Sequence, residues 1–285
     1  MTLIMEGCNL TGKTTLAKNL GWPIEDKDPT RGPEAVFETQ LTIESGNTIW
    51  NRCWLTEEVY GSLFRDYPGF TVPQLWRMGL HQENVGATLL HLSIDLALTE
   101  ERFDSRGDEE MSLPEIHFAR HQYPAILANN LKYLPAVCMN SKLEDALYIH
   151  ANRQNRVEEL RPIRDYSWGS LKQACTMVVV EKSFNLHFPF RYHGGTRYRK
   201  AVNFYKVWDS FSDPRSTRFV VLEDVKDWAK LVTLVEPSAI LCVGKRATKE
   251  CPCETRKYIP EPQALMCDQE LDEYKYDINE CLLGR

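Results

Sequence analysis

The sequence has no long apolar run and no C-x-x-C pair of cysteines. Its longest apolar runs are a few residues each, well below the ~18 residues that a membrane-spanning helix needs, so we expect no membrane partner. Residues 1–6 lack a basic region followed by an apolar core, which predicts no secretory signal. The odd total of nine cysteines then indicates reduced thiols in the cytoplasm, or in the host cell cytoplasm if the protein is viral.

The cysteines near the end of the chain are a candidate metal cluster by residue type only. Cys251, Cys253, Cys267 and Cys281 are separated by one, thirteen and thirteen residues. These separations match no common zinc pattern. We therefore interpret them as structural or incidental thiols.

The composition is that of a globular protein with two domains. The chain has 285 residues, of which 43% are hydrophobic and 26% charged, which excludes a disordered chain, a collagen and a disulfide-scaffolded miniprotein. The net charge of −6 is unevenly distributed. Residues 1–156 carry 14 basic and 21 acidic side chains, whereas residues 157–285 carry 20 and 19. The halves therefore differ electrostatically, and the average charge does not exclude a nucleic-acid partner in the second.

A phosphate-binding motif lies near the start of the chain. The pattern G-x-x-x-x-G-K-T follows a short apolar run at 3–5 and precedes a helical run at 15–20. In such a loop, backbone N–H groups and the helix N-terminus hold phosphate oxygens. The cofactor-binding residues that we predict are Gly7, Cys8, Asn9, Leu10, Thr11, Gly12, Lys13, Thr14 and Thr15. Lys13 would reach the β- and γ-phosphates of ATP, and the Thr14 hydroxyl would ligate Mg²⁺.

Alternating strand and helix signals predict an α/β fold. Further strands are expected at 47–50, 87–93 and 134–139, with a helix from about 143 to 156. This order is typical of a P-loop NTPase parallel sheet with helices on both faces, here over residues 1–156. A proline among charges favours a linker at 157–175. Strand signals at 176–180 and 239–243 then predict a second, smaller α/β domain over 176–285.

A segment after the second predicted strand carries a family pattern. Residues 51–65 begin with Asn-Arg-Cys-Trp-Leu-Thr and contain Tyr60-Gly61. They resemble the D-R-x-x-x-S-x-x-x-Y-G segment of thymidylate kinases. Glu6-Gly7 before the loop is similar as well, and so are residues 101–109, where these kinases carry a mobile lid with arginines. The resemblance covers about residues 1–150. It implies ATP-dependent phosphoryl transfer to an acceptor that contains a pyrimidine.

The resemblance also implies roles for individual side chains around the loop. Arg52 follows a strand and would point into the ligand cleft. Arg102 and Arg106, at i and i+4 on one helix, could close over the phosphates, or could form a solvated helix face. Trp54 and Tyr60, together with Phe64, could contact a base, and core packing is an equal alternative.

Two departures from the family pattern change the expected chemistry. Asn9 and Asn51 stand where thymidylate kinases usually carry aspartates. An amide can neither accept a proton nor bind Mg²⁺ with a full charge. Either Glu57, Asp28 or Asp26 takes that role, or the acceptor is not a nucleoside monophosphate. We assign Asn51 to the catalytic set together with Lys13 and the arginines.

Residues 182–218 form a basic stretch interleaved with aromatic residues. They contain eight basic and two acidic residues and nine aromatic ones. Basic side chains neutralise phosphates, and aromatic rings stack on bases. We predict DNA contacts from Arg191, Arg197, Arg199 and Lys200. The alternative is a small domain whose aromatic residues are its core and whose charges face solvent.

The second half also resembles the uracil-DNA glycosylase superfamily over about residues 176–250. Residues 178–181, Phe188-Pro-Phe190 and Gly194-Gly195 are similar to its first region, and residues 234–247 to a later strand motif. The catalytic acid and the His-Pro-Ser loop of that family are not matched, since Tyr258-Ile-Pro-Glu-Pro262 stands where the loop would be. The resemblance therefore implies a surface that grips DNA around an everted base rather than base excision.

The combination of halves resembles the 5-hydroxymethyluracil DNA kinases of bacteriophages, which act in thymidine hypermodification. That resemblance implies transfer of the γ-phosphate of ATP to the 5-hydroxymethyl oxygen of a base within DNA that contains the modified pyrimidine. Three alternatives stay open. They are a thymidylate or deoxynucleoside monophosphate kinase with an accessory domain, a non-catalytic P-loop protein that binds DNA, and a DNA glycosylase with a regulatory nucleotide domain.

Overall fold

The computed structural model describes residues 2–26, 32–44, 46–64, 69–106, 111–139, 142–184 and 196–283. The side chains of residues 26, 32, 33, 62, 106, 183 and 196–198 lie outside the description. The chain divides into two compact units of nearly equal length. The first unit comprises Met1–Thr71 and Val85–Arg156, and the second comprises Val72–Asn84 and Val157–Arg285.

The strands form two five-stranded sheets, one in each unit. Those of the first sheet are β1 (Thr2–Glu6), β2 (Ile24–Asp26), β3 (Thr48–Asn51), β4 (Thr88–His91) and β5 (Ala136–Met139). Those of the second are β6 (Ser167–Gly169), β7 (Thr176–Val180), β8 (Thr217–Val221), β9 (Ala239–Val243) and β10 (Arg256–Ile259).

The helices lie between and after these strands along the chain. They are α1 (Lys13–Leu20), α2 (Gly32–Gln40), α3 (Trp54–Phe64), α4 (Val72–Asn84), α5 (Leu96–Arg106), α6 (Leu113–Asn130), α7 (Leu143–Glu159), α8 (Thr196–Trp208), α9 (Trp228–Val235), α10 (Lys245–Glu250) and α11 (Asp268–Leu283). Among the described residues, no helix is both long enough and apolar enough to span a membrane.

The first sheet is parallel throughout, with the strand order β2-β3-β1-β4-β5. Leu3, Ile4 and Met5 have no exposed surface, so both faces of the central strand are covered. This is the expected pattern for a parallel sheet with helices on both sides, and it confirms the predicted fold class. Leu3 and Met5 share one apolar cluster with Ala17 of α1 and Ala146 of α7.

The register of the first sheet sets the position of the loops. Met5 of β1 lies beside Asn51 of β3, and Glu6 lies beside His91 of β4. The carboxyl ends of three neighbouring strands therefore meet at one edge. Open α/β sheets bind ligands at this edge, outside the carboxyl ends of their strands.

The second sheet is mixed, with the order β10-β9-β7-β8-β6. Its first four strands are parallel, and β6 pairs antiparallel with β8 at the edge. Segment 157–175, predicted as a linker, supplies β6 and belongs to the second unit. Helix α4 also belongs to this unit, where Trp76 stacks on Tyr205 with ring centroids 5.7 Å apart. The order of elements along the chain does not predict that α4 belongs to the second unit, because α4 lies within the first half of the chain.

Candidate functional site

The loop between β1 and α1, which carries the predicted phosphate-binding motif, is a close-packed turn. Gly7, Leu10 and Gly12 have positive φ angles of 143°, 68° and 90°. A Cβ atom on Gly7 would lie 2.3 Å from the carbonyl oxygen of Leu92, the residue after β4. Glycine is therefore required at position 7, both for its φ angle and for the close approach of two backbones.

Lys13 lies inside this loop. Its side chain is buried, and Nζ donates hydrogen bonds to the carbonyl oxygens of Gly7 (2.6 Å) and Cys8 (2.8 Å) and to Oγ1 of Thr11 (3.3 Å). Thr14 and Thr15 follow at the exposed start of α1. The nine predicted cofactor-binding residues are consecutive, and three of them, Gly7, Cys8 and Thr11, contact the lysine ammonium.

A cavity of about 170 Å³ opens at this turn. Its lining residues are Asn9, Leu10, Thr11, Gly12, Lys13, Thr14, Thr15, Asn51 and Arg52. Two of them are cations, two are amides, and none of the described lining residues is a carboxylate. An anionic ligand therefore matches the charge of this cavity.

Arg52 is fixed at the cavity by its backbone and by its side chain. Its φ angle is 79°, and its N–H donates to the carbonyl oxygen of Met5 at 2.8 Å. Its Nη2 donates to Oδ1 of Asn9, and its guanidinium lies 5.3 Å from the ring centroid of Tyr60. The Asn9 N–H in turn donates to the Tyr60 hydroxyl at 3.3 Å. Tyr60, for which we predicted either a base contact or core packing, thus contacts both Asn9 and Arg52.

Burial keeps Tyr60 in its neutral form. Desolvation raises the pKa of the Tyr60 phenol far above its usual range, and the opposing effect of the nearby Arg52 charge is smaller. A neutral phenol does not neutralise the Arg52 guanidinium.

A buried carboxylate fixes the turn that follows Arg52. Glu6, at the end of β1, has no exposed surface. Its Oε1 accepts a hydrogen bond from the Cys53 N–H, and its Oε2 accepts from the hydroxyls of Thr56 (2.8 Å) and Tyr123 (2.9 Å). The Glu6 carboxylate thereby ties β1 to the start of α3 and to α6. Sequence reasoning missed this anchor, although a glutamate at the end of a buried strand indicates a buried acceptor with partners.

The Arg102 side chain extends from α5 to the loop. Its Nη1 donates to the carbonyl oxygen of Leu10 at 2.6 Å. It also lines a second cavity, of about 450 Å³, together with Thr11, Gly12, Thr15, Leu16, Asn19 and Leu92. Arg106 ends the same helix, and its side chain lies outside the described residues.

His91 lies at the end of β4, beside Glu6 in the sheet register. It is buried, and this burial lowers the pKa of its imidazole, an effect that the Glu6 carboxylate opposes and the Lys13 charge reinforces. A neutral imidazole at physiological pH adds no positive charge beside Lys13.

The three carboxylates that could replace the two missing aspartates differ in their positions relative to the cavity. Glu57 is 2% exposed on α3 and does not line the cavity. The backbone of Asp26, at the end of β2, is paired with Asn51. Asp28 lies outside the described residues. Among the residues that the structure describes, no group of three or more His, Cys, Asp or Glu side chains is arranged to hold a metal ion.

Trp54 matches the core-packing alternative that we kept open, not the predicted base contact. Its side chain has no exposed surface and packs edge-to-face against Phe70, with ring centroids 6.1 Å apart. It is therefore part of the core of the first unit, not a contact for a base. Phe64, by contrast, is 45% exposed and stacks on Tyr60 at 6.2 Å.

The described aromatic residues of the 182–218 stretch are mainly core. Phe184, Phe204, Tyr205 and Trp208 are at most 2% exposed. Phe204 contacts the other three rings, with centroids 5.6–6.3 Å apart. Rings that pack on one another in this way have no free face for a base, so these four match the alternative that we kept open.

The basic residues of that stretch have three different environments. Lys182 pairs with Asp224 at 3.0 Å, and Lys200 pairs with Glu261 at 2.7 Å. Arg218 is 2% exposed, and its guanidinium donates to Ser167, Gly169 and Ser170. Arg199 and Lys206 are exposed on α8. Arg191 and the side chain of Arg197 lie outside the described residues.

No protein-family model and no curated protein matches the chain. One similar solved structure is YorR protein from Bacillus subtilis, in complex with phosphorylated GDP. It is 23% identical with a TM-score of 0.42, and the match covers 57% of this chain and 98% of that one. Another is deoxyadenosine kinase from M. mycoides with products dCMP and a flexible dCDP bound. Here the identity is 16%, the TM-score 0.31 and the coverage 54% and 99%.

Proposed function

We propose that the chain is an ATP-dependent phosphotransferase whose active site is the loop between β1 and α1. The observation that carries this proposal is the position of Lys13, whose Nζ lies 2.6 and 2.8 Å from two loop carbonyls at the carboxyl edge of a parallel sheet. A phosphate oxygen would take over those contacts, since Lys13 is the ammonium that such loops use for the β- and γ-phosphates. Arg52 and Arg102 contact the same loop.

Phosphoryl transfer depends on alignment and charge neutralisation more than on covalent help from the protein. Lys13 and Arg52 supply two positive charges at the smaller cavity, and Arg102 supplies a third at the larger one. Glu6 holds the turn after Arg52, so the guanidinium is oriented before substrate binds. Prior orientation lowers the barrier because the donors need not reorganise during transfer.

Mg²⁺, when bound with ATP, would neutralise phosphate charge. Its protein ligand would be the hydroxyl of Thr14, which is exposed at the cavity. This fits the usual coordination of Mg²⁺ by one or two protein oxygens together with phosphates and water. Asp26 is the candidate for a second ligand or a proton acceptor, because its backbone is paired with Asn51 at the cavity.

For the acceptor we propose the 5-hydroxymethyl group of 5-hydroxymethyluracil in DNA. The support is the sequence resemblance described above and the presence of amides at positions 9 and 51. Asn9 Oδ1 accepts from Arg52 without neutralising it. A cavity lined by the cations Lys13 and Arg52 suits a base that arrives with its own anionic backbone. The base must leave the stack to reach such a site.

The second candidate is a thymidylate or deoxynucleoside monophosphate kinase, and one observation favours it. The described residues that line the smaller cavity include no carboxylate. A phosphate acceptor is already ionised and needs no general base, whereas a hydroxymethyl acceptor has a proton to lose. The two candidates therefore differ in whether a general base is required. Only the hydroxymethyl acceptor needs one, so only that reaction should depend on Asp26.

The test is a panel of acceptors incubated with γ-labelled ATP and Mg²⁺. The acceptors are DNA containing hydroxymethyluracil, the same DNA with thymine, and free dTMP. We expect label on the modified DNA only, and Asp26→Asn should then lower the rate at least tenfold. Label on dTMP only would contradict the proposed DNA acceptor and support the thymidylate kinase candidate. ATP binding without transfer to any acceptor would favour the non-catalytic P-loop protein.

A further inference from the structure

A further cavity, of about 560 Å³, lies in the first unit between β2, β3 and the end of α2. Small-molecule sites usually have volumes of roughly 300–1,000 Å³, so this cavity can hold a small organic ligand. It shares no lining residue with the two cavities at the loop between β1 and α1. The side chains that line it are those of Glu25, Thr39, Thr42, Glu44, Thr48 and Trp50.

The register of the sheet places this cavity away from the phosphate-binding edge. Glu25 of β2 is paired with Trp50 of β3, so their side chains lie on one face of the sheet. The residues before them, Ile24 and Ile49, point to the other face, where they join the apolar cluster under α1. Thr48 is the first residue of β3, so the cavity extends towards the amino ends of the strands. The loop between β1 and α1 lies at their carboxyl ends.

The polar groups of the cavity are mainly hydrogen-bond acceptors. The Thr39 hydroxyl donates its proton to the carbonyl oxygen of Ala35 at 2.7 Å, and the Thr42 hydroxyl donates to that of Thr39 at 2.8 Å. Because a hydroxyl has one proton, both can only accept a hydrogen bond from a ligand. The ionised carboxylates of Glu25 and Glu44 likewise only accept. A ligand rich in N–H donors therefore matches this wall.

The charge of the cavity and its aromatic ring both favour a cation. Its described lining residues include Glu25 and Glu44 but no lysine or arginine. Neither carboxylate forms an ion pair with any residue that the structure describes. Trp50 is 7% exposed and lines the same cavity. An indole ring attracts ammonium groups through its π face and packs against methylene chains.

We propose that this cavity is a binding site for an aliphatic polyamine such as spermidine. Glu25 and Glu44 come from different elements, a strand and the segment after α2, so each carboxylate accepts from its own ammonium group. The methylene chain between the two ammonium groups packs on Trp50, and the threonine hydroxyls accept the remaining N–H donors. The site does not depend on the proposed kinase activity, because it uses no residue of the loop.

The test is equilibrium dialysis of the full-length protein against radiolabelled spermidine at pH 7 and physiological ionic strength, which screens weak binding to exposed carboxylates. We expect one spermidine to bind per chain. Glu25→Gln and Glu44→Gln should each weaken binding about tenfold or more, because each removes a charge-assisted contact. Putrescine and butylamine have the same four-carbon chain, with two ammonium groups and one. Butylamine should therefore bind at least about tenfold more weakly than putrescine.

Glu38→Gln is the matched control, because Glu38 is exposed on α2 but does not line the cavity. This variant should bind spermidine as the wild type does. The proposal is overturned if the wild type binds no spermidine at millimolar concentration, or if Glu38→Gln weakens binding as much as Glu25→Gln and Glu44→Gln. Displacement of spermidine by an equimolar amount of Ca²⁺ would also overturn it, since the carboxylates would then serve a metal ion.

Discussion

Substitution of Gly7 by alanine is expected to destabilise the first unit strongly, for two reasons that can be separated. A φ angle of 143° is strained for any residue with a Cβ, at a cost of about 1–3 kcal/mol. The new Cβ would also lie 2.3 Å from the Leu92 carbonyl oxygen, which is backbone and cannot rotate away. Overpacking of this kind costs about 1–3 kcal/mol more. The two costs together predict a loss of about 4 kcal/mol in the free energy of unfolding.

Gly21→Ala is the matched control. Gly21 also has a positive φ angle, 65°, at the end of α1, but a Cβ there would meet nothing within 4 Å. It should therefore show only the left-handed backbone cost, about 1 kcal/mol. Urea unfolding followed by circular dichroism compares the two variants directly. Only Gly7→Ala places a Cβ against the backbone after β4. Equal destabilisation by the two substitutions would therefore contradict the close approach of the loop to that backbone.

Three other predictions follow from single contacts. Burial lowers the pKa of His150 to about 4, from about 6.5 when unfolded. The folded state should therefore lose up to about 3 kcal/mol as pH falls from 6.5 towards 4, and His150→Gln should remove that slope in unfolding measured across pH. Arg102→Ala should raise the KM for ATP about tenfold, since its guanidinium lines the larger cavity. An unchanged KM with a lower kcat would mean that it acts only in the transition state. Arg218→Ala should cost about 3 kcal/mol in stability by leaving buried acceptors unpaired, whereas Lys206→Ala on an exposed position should cost under about 0.5 kcal/mol. If Arg218→Ala weakened DNA binding without loss of stability, its assignment to the core would be wrong.

The sequence predicted the frame of the first unit because its signals there are local. Apolar runs mark β1, β4 and β5, and the glycine and lysine pattern marks the loop. Strand β2 was missed because it is three residues long and two of them are acidic, so it lacks an apolar signal. The position of Arg52 beside Asn9, 43 residues away, follows from the parallel pairing of β1 with β3.

The second unit was harder to predict because its core combines distant parts of the chain. Trp76 on α4 packs against Tyr205, and β6 pairs with β8 across a gap of about fifty residues. Composition alone cannot distinguish an aromatic ring that stacks on a base from one that fills a core. Phe204 and Trp208 are both apolar and buried, and only the contacts of their rings place them in the core.

The most direct test of the central claim is transfer of label from γ-labelled ATP to hydroxymethyluracil-containing DNA by two variants compared with wild type. Lys13→Ala removes the ammonium inside the loop, and Lys18→Ala removes an exposed one from the last turn of the same helix. We expect Lys13→Ala to lower the transfer rate at least a hundredfold, because Lys13 stabilises the charge of the transferred group. Lys18→Ala should match wild type. Transfer by Lys13→Ala at the wild-type rate would contradict the assignment of the active site to this loop.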